Sequence, residues 1–485
     1  MGVMLDPAGA LAHPESPESP DRPDTLDPRY LADPLADDAI ARILDGASDR
    51  WDAIGIVNRE IATWQTNGAL AGWRASAATP AHIAAALEDF VRAARTLPAW
   101  ADATRIGQAE EVFVGMSVLS CTLLFCASLP ECYVPVDLAS VLHTAGQLEK
   151  HTDYRVRSTA AMIFPVMLRG GLTAPDGGGV AQVLKVRLIH ATIRHLILRG
   201  HPAAAMAGGE PAALLETLAP EGPGLHQALY ARGWDIQGHG LPCNQEELAY
   251  TLLTFHYVFL RALRRLGLAL TPAEEAAYLH GWNVVGHLLG IEESLLAGSM
   301  DQAAALFERL QARGRDAAAS GGLPYGAPDP RPALAAALMR AMQDEIPARF
   351  LKPFPVLLTR YLCGRRNARE LGLDGPVALV SQALFVLAML IVRGIDLAGR
   401  RLHAGFSISR LCTRILGYRL TVKLLMDQTR PLKLPDALLN QVDHAVHGWG
   451  LDPRAPKWMN AVEQRLRPAA PAAVRPAMHE EREAA

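Results

Sequence analysis

Residues 180–199 read VAQVLKVRLIHATIRHLILR, a run without glycine or proline that follows Gly177, Gly178 and Gly179 and is closed by Gly200 and Pro202. Punctuation of this kind predicts a helix over 180–199, because glycine ends helices and proline cannot continue them. At about 100° per residue, Val183, Val186, Arg187, His190, Ile193, Arg194 and Ile197 share one stripe. The opposite stripe, Leu184, Leu188, Ala191, His195 and Leu198, is also largely apolar. A helix apolar on both sides belongs inside a protein made of helices. It nevertheless carries two guanidinium groups flanking His190. Buried unpaired charge costs several kcal/mol, so those arginines need anions.

Working outward, the same helical punctuation recurs. Thr271, Pro272 and Glu274 supply an N-cap, a first-turn proline and a capping-box acid before AAYLHGWNVVGHLL, and Gly290 follows. Asn244 with Glu247 opens a second helix that runs through TLLTFHYVFLRALRRL to Gly267. Sustained period-two alternation is absent, as is any internal repeat. The expected fold class is therefore all-α, a large helical bundle. Residues 1–28, rich in Pro, Asp, Glu and Ser, read as a disordered tail, and so does 468–485. A break at 314–332, containing ASGGLPYGAPDPRP, reads as a long loop. That leaves 29–313 as the main helical domain and 333–467 as C-terminal helices packed on it.

Composition excludes several classes. The chain has 485 residues, 50% of them hydrophobic, enough to bury a substantial core. Its 47 Lys and Arg against 50 Asp and Glu give a net charge of -3, and no long basic run could track a phosphate backbone. Nucleic acid is not an expected partner. The first residues lack a basic start followed by an apolar core, and the six cysteines contain no Cys-x-x-Cys pair, so a cytoplasmic protein with reduced thiols is expected. Two apolar runs, 112–129 and 377–392, fall just under the roughly 20 residues of a bilayer span and read as helices buried on all sides. Peripheral membrane contact stays open.

For the histidine helix two readings stand. In one, His190 is a core histidine and its arginines pair with carboxylates elsewhere. In the other, His190 binds the iron of a haem, aliphatic neighbours cover the porphyrin and the arginines pair with its two propionates. Rival metal chemistry lacks its motifs. None of the 16 histidines has an Asp or Glu three residues before it, as di-iron bundles need. His280 with His287, and His444 with His447, share helix faces without carboxylates at ligand spacing. No dinucleotide fingerprint, phosphate loop or nucleophile elbow occurs.

Arg187, His190 and Arg194 form the pattern Arg-x-x-His-x-x-x-Arg, and Arg155 with Thr159 forms Arg-x-x-x-Thr upstream, in GQLEKHTDYRVRSTAAM. With SLPECYVPVDLASVLHTAGQL, NQEELAYTLLTFHYVFLRALRRLG and GWNVVGHLLGIEE, these segments resemble the rubber oxygenase (latex-clearing protein) and mycophenolate side-chain oxygenase family, in order over some 200 residues. The likeness fades after about residue 310. It implies a globin-like haem-binding core, haem b with His190 as axial ligand of the iron, and Arg187 and Arg194 on the propionates. It places Arg155 and Thr159 as catalytic groups on the distal side. It further implies oxidation or cleavage of an isoprenoid-type C=C bond with O2; because an intracellular enzyme does not meet polymer latex, a small apolar substrate, a terpenoid or unsaturated lipid, is expected. A non-enzymatic haem sensor or carrier, or a haem-free assembly protein, is the alternative. The chain departs from the pattern twice. Ser158 stands where latex-clearing proteins can have a lysine that caps the iron, so that either the distal side stays open or His151 or His143 fills that role. The distal acid has no clear counterpart, Asp137 and Glu149 being the nearest carboxylates.

Overall fold

The computed structural model describes residues 27–136, 138–139, 162–206, 214–222, 224–268, 270–319, 329–344, 346 and 348–402. Its main helices are α1 (Pro34–Leu44), α2 (Arg50–Ala62), α3 (Ala81–Ala94), α4 (Ala103–Leu123), α5 (Gly179–Leu198), α6 (Gln245–Leu253), α7 (Phe259–Leu266), α8 (Pro272–Leu288), α9 (Met300–Ala319), α10 (Arg331–Asp344), α11 (Phe354–Cys363) and α12 (Leu379–Leu402). Among the described residues the only β pairing is an isolated bridge between Leu215 and Trp234. The class is all-α.

Local chemistry explains the helix ends. Thr271 and Glu274 close a reciprocal capping box at the start of α8. Asn244 accepts from the Glu247 N–H to start α6, and Gly267, at φ 79°, ends α7 in the left-handed conformation. One feature was not legible in the sequence. The segment read as one helix from Asn244 to Gly267 passes through a π-turn at Thr254–Val258, and α4 continues through another at Leu124–Ser128. The two π-turns pack against each other, a widening that often marks functional regions of helices.

The core is a single cluster in which Trp64, Trp234, Trp282, Phe113 and Phe259 are fully buried. Helices α4 and α8 run closely side by side, and a Cβ on Gly281 would lie 2.9 Å from that of Ala109. The C-terminal half is fastened to the first half through Glu131. This fully buried carboxylate accepts from Arg261, from Gln311 at 2.9 Å and from Asn367 at 2.6 Å, while its backbone carbonyl accepts from Tyr250.

Two expectations need correction. Gly314 does not begin a loop: α9 continues to Ala319, and Gly314 instead lets the helix approach Pro135, whose Cβ would be 2.8 Å from an added methyl. The apolar run 112–129 is buried at Val112, Phe113, Met116 and Leu124, as expected, but 377–392 is not a core helix. Leu379, Val380, Val386, Leu387, Leu390 and Ile391 are each at least half exposed and form one stripe of α12. Among the described residues no single helix is long and apolar enough to cross a membrane.

Candidate functional site

Helix α5 spans Gly179–Leu198, one residue earlier at each end than the sequence reading, and its chain reverses at Arg199 with φ 58°. Gly178 has no side chain to cap it. The cap comes from elsewhere: Asn67 accepts the Val180 N–H at 3.0 Å and donates to the carbonyls of Gly171 and Ala174 at 2.8 and 2.9 Å. The loop before α5 is thereby held at a defined start.

Around α5, Val183, Leu184, Arg187, Leu188, Ala191, Arg194 and Ile197 are buried, whereas Gln182, Lys185, Val186, His190, Thr192 and Ile193 keep accessible surface and Ile189 is 44% exposed. At 100° per residue the accessible positions form one arc of roughly 160°. His190 sits at the edge of that arc nearest the arginines, and Val186, Ile189 and Ile193 make its neighbouring surface apolar.

The His190 ring is set deep. Burial, helped by the positive charge of Arg194 and opposed by Asp33, lowers its pKa from 6.5 to about 4. It is therefore neutral near pH 7, with a nitrogen lone pair available. Its Nδ1 is buried without a hydrogen-bond partner, so what remains accessible of this residue lies elsewhere on it. A buried ring nitrogen left unpaired costs about 1–3 kcal/mol, a cost that His195 Nδ1 and His256 Nδ1 share, so what sets His190 apart is its place at the edge of the accessible arc. Among the described residues no three His, Cys, Asp or Glu gather to hold a bare metal ion. A haem, whose macrocycle supplies further ligands to its iron, is compatible with a single neutral imidazole beside apolar side chains.

In this structure both arginines already have partners within the chain. Arg187 is paired twice with Asp33, Nε to Oδ2 at 2.6 Å and Nη2 to Oδ1 at 2.7 Å, and its Nη1 donates to the Leu288 carbonyl. Arg194 donates from Nε to Asp37 Oδ1 at 2.9 Å and from Nη1 to the carbonyls of Cys243 and Pro242. Both pairs are buried, the second completely. Burial raises the Asp37 carboxyl above its usual range, with Arg194 opposing the shift. The first reading of these arginines, pairing with carboxylates elsewhere, is the one observed. Only Nη2 of Arg194 is left without a partner. The sequence reading missed Asp33 and Asp37 as partners. Their one signal was an i, i+4 spacing at the start of α1 facing arginines seven residues apart.

His195, on the far stripe, points to Asp45 at 3.5 Å, and His280 accepts the Asp102 N–H at 2.9 Å. Arg155, Thr159, Ser158, His143, His151, Asp137, Glu149, His444 and His447 lie outside the described residues.

The fold recurs in a solved structure. The chain is similar to latex clearing protein in the closed state, with a TM-score of 0.55 and 18% identity, over 76% of this chain and 86% of that one. Residues 122–394 match the family described as "ER-bound oxygenase mpaB/B'/Rubber oxygenase, catalytic domain", and the chain belongs to that family. The rubber oxygenase of Streptomyces sp. (strain K30) is 22% identical over 281 residues, 57% of this chain. The match spans 58% of that relative's length.

Proposed function

We propose that the protein is a haem b-dependent oxygenase that oxidises or cleaves a carbon–carbon double bond of an isoprenoid-type or unsaturated lipid with O2. The observation that carries this reading is His190, a neutral imidazole at the edge of an apolar, accessible stripe. Membership of an oxygenase family supports the reaction class. Bound haem would supply oxygen activation and electron transfer.

The chain's own residues supply the rest. His190 would hold the iron as a neutral ligand, which needs no deprotonation at neutral pH. Val186, Ile189 and Ile193, which keep accessible surface in this structure, would offer an apolar surface to the macrocycle. Arg155 and Thr159, assigned to the distal side by their motif, would donate hydrogen bonds where negative charge develops on oxygen.

The test has two parts. Purified protein should show a Soret band and yield a b-type pyridine haemochrome. The reduced protein, incubated with labelled oxygen and a panel of terpenoids and unsaturated lipids, should give carbonyl products carrying the label. A haem protein without product from any substrate would leave a sensor or carrier, and absence of haem would remove the reading altogether.

A further inference from the structure

We propose that Asp33 and Asp37 are positioning residues for His190, so that the site begins on α1, well upstream of residue 122, where the family match starts. The proposal rests on the haem reading for its consequence but not for its geometry.

Asp33 is the N-cap residue of α1, yet its side chain makes no capping bond. It goes to Arg187 instead. Asp37, one turn on, takes over part of the capping: Oδ2 accepts the Asp33 N–H at 3.0 Å while Oδ1 accepts from Arg194. The two carboxylates thus form one unit at the start of α1, aimed at α5. A lone ion pair would let α5 roll about the contact. Two pairs, separated along α5 by seven residues or about 10.5 Å, resist both rolling and sliding. His190 lies between them, three residues after Arg187 and four before Arg194. A roll of one residue, about 100°, would carry its ring off the edge of the accessible arc.

The surroundings are built for the lock. A Cβ on Gly290 would lie 2.6 Å from Asp33 Oδ2 and 2.8 Å from Arg187 Nε and Nη2, so the chain there passes directly over the ion pair. Gln245 fixes that passage by donating to the carbonyls of Ala32 and Gly290, both at 2.7 Å, and accepting the Glu292 N–H. Were the arginines to leave for the carboxylates of a ligand, two buried aspartates would be stranded, an arrangement that strongly destabilises a fold.

Full-length apoprotein is titrated with haemin and with haemin dimethyl ester, which lacks free carboxylates. Asp33→Asn, Asp37→Asn and Arg187→Gln should each weaken both ligands by about 10- to 100-fold, as loss of outer partners of a metal ligand does. Asp33→Asn with Arg187→Gln should be no worse than either alone. In a His190→Gly background with imidazole supplied in solution, the Asp33→Asn penalty should vanish, because no tethered ring remains to be oriented. An Arg187→Gln penalty seen with haemin but not with its ester, alongside wild-type behaviour of both Asn variants, would show that the arginines grip the ligand and would overturn the proposal. So would a penalty that persists with free imidazole. If wild-type protein binds no haemin, the haem reading fails by itself. The lock is then judged by the ring 15N chemical shifts of His190, which should move in Asp33→Asn and Asp37→Asn. Unmoved shifts in both variants would overturn it.

Discussion

Asn67 Oδ1 accepts the backbone N–H of Val180 at 3.0 Å, across 113 residues of sequence, and so caps a helix whose own preceding residues are glycines. The same side chain donates to two carbonyls of the loop before it, and the Asn67 N–H donates to the Gly177 carbonyl at 2.7 Å. Asn67→Ala removes one acceptor and two donors while leaving their partners partly buried. The expected loss is about 2–3 kcal/mol of stability, concentrated at the start of α5. Denaturant unfolding gives the size, and hydrogen exchange at Val180 and its neighbours gives the place. Unchanged exchange there would show that the glycines hold the helix start unaided.

Gly290 combines two demands that only glycine meets, a φ of 82° and a position against the Asp33–Arg187 pair. Gly290→Ala should therefore cost at least about 1–2 kcal/mol from backbone strain, and more from the displaced ion pair. The second part can be isolated. In an Asp33→Ala background the substitution should cost less, since Oδ2 is no longer there to be struck, and equal costs in both backgrounds would assign the whole effect to the backbone.

Glu110 carries a pH dependence of definite sign. Burial raises its carboxyl from 4.5 to about 7, against the pull of backbone N–H groups from Gly170, Gly171 and Leu172. A raised folded-state pKa means the folded protein holds a proton that the unfolded chain releases. Its contribution is complete below pH 4.5 and is lost as pH rises through about 7. The total is roughly 3–4 kcal/mol. Glu110→Gln keeps an acceptor for the loop and carries no charge, so the variant should be more stable than wild type at pH 8 and lack this slope between pH 4.5 and 7. Parallel stability profiles for the two proteins would mean that folding leaves the Glu110 carboxyl in its ordinary range.

Much of this was legible in the sequence, for reasons that are local. The helix 180–199, the Thr271–Glu274 box and the stop at Gly267 depend on neighbours in the chain, and each is present in the fold within a residue. His190 stood out because an ionisable ring on an apolar stripe is costly wherever it occurs. The anions of Arg187 and Arg194 were not legible, because Asp33 and Asp37 are more than 150 residues away. Only tertiary packing of α1 on α5 reveals which of the chain's many carboxylates is used. The exposure of α12 was hidden for a similar reason. A run of apolar residues reports that burial would be favourable, and it does not report what stands opposite.

His190 and His195 share a helix and differ in what they face, which makes them a matched pair for testing the ligand. Nδ1 is buried and unpartnered in both, but His190 borders the accessible apolar arc, whereas His195 is 7% exposed on the opposite stripe and its Nε2 points toward Asp45 at 3.5 Å. If the iron is held from the arc, His190→Ala should lose stoichiometric haem, because no other ring on α5 can reach that side without rotating the helix against both ion pairs. The apoprotein should stay folded, since the substitution also removes an unpaired buried nitrogen. His195→Ala should do the reverse: haem content stays at one per chain, while stability falls by about 1–2 kcal/mol as a packed side chain is lost. Haem content by pyridine haemochrome and stability by denaturant unfolding separate the two outcomes. Retention of haem in His190→Ala together with its loss in His195→Ala would move the ligand to the far stripe. It would also mean that Asp33 and Asp37 hold α5 with the wrong face turned to the site.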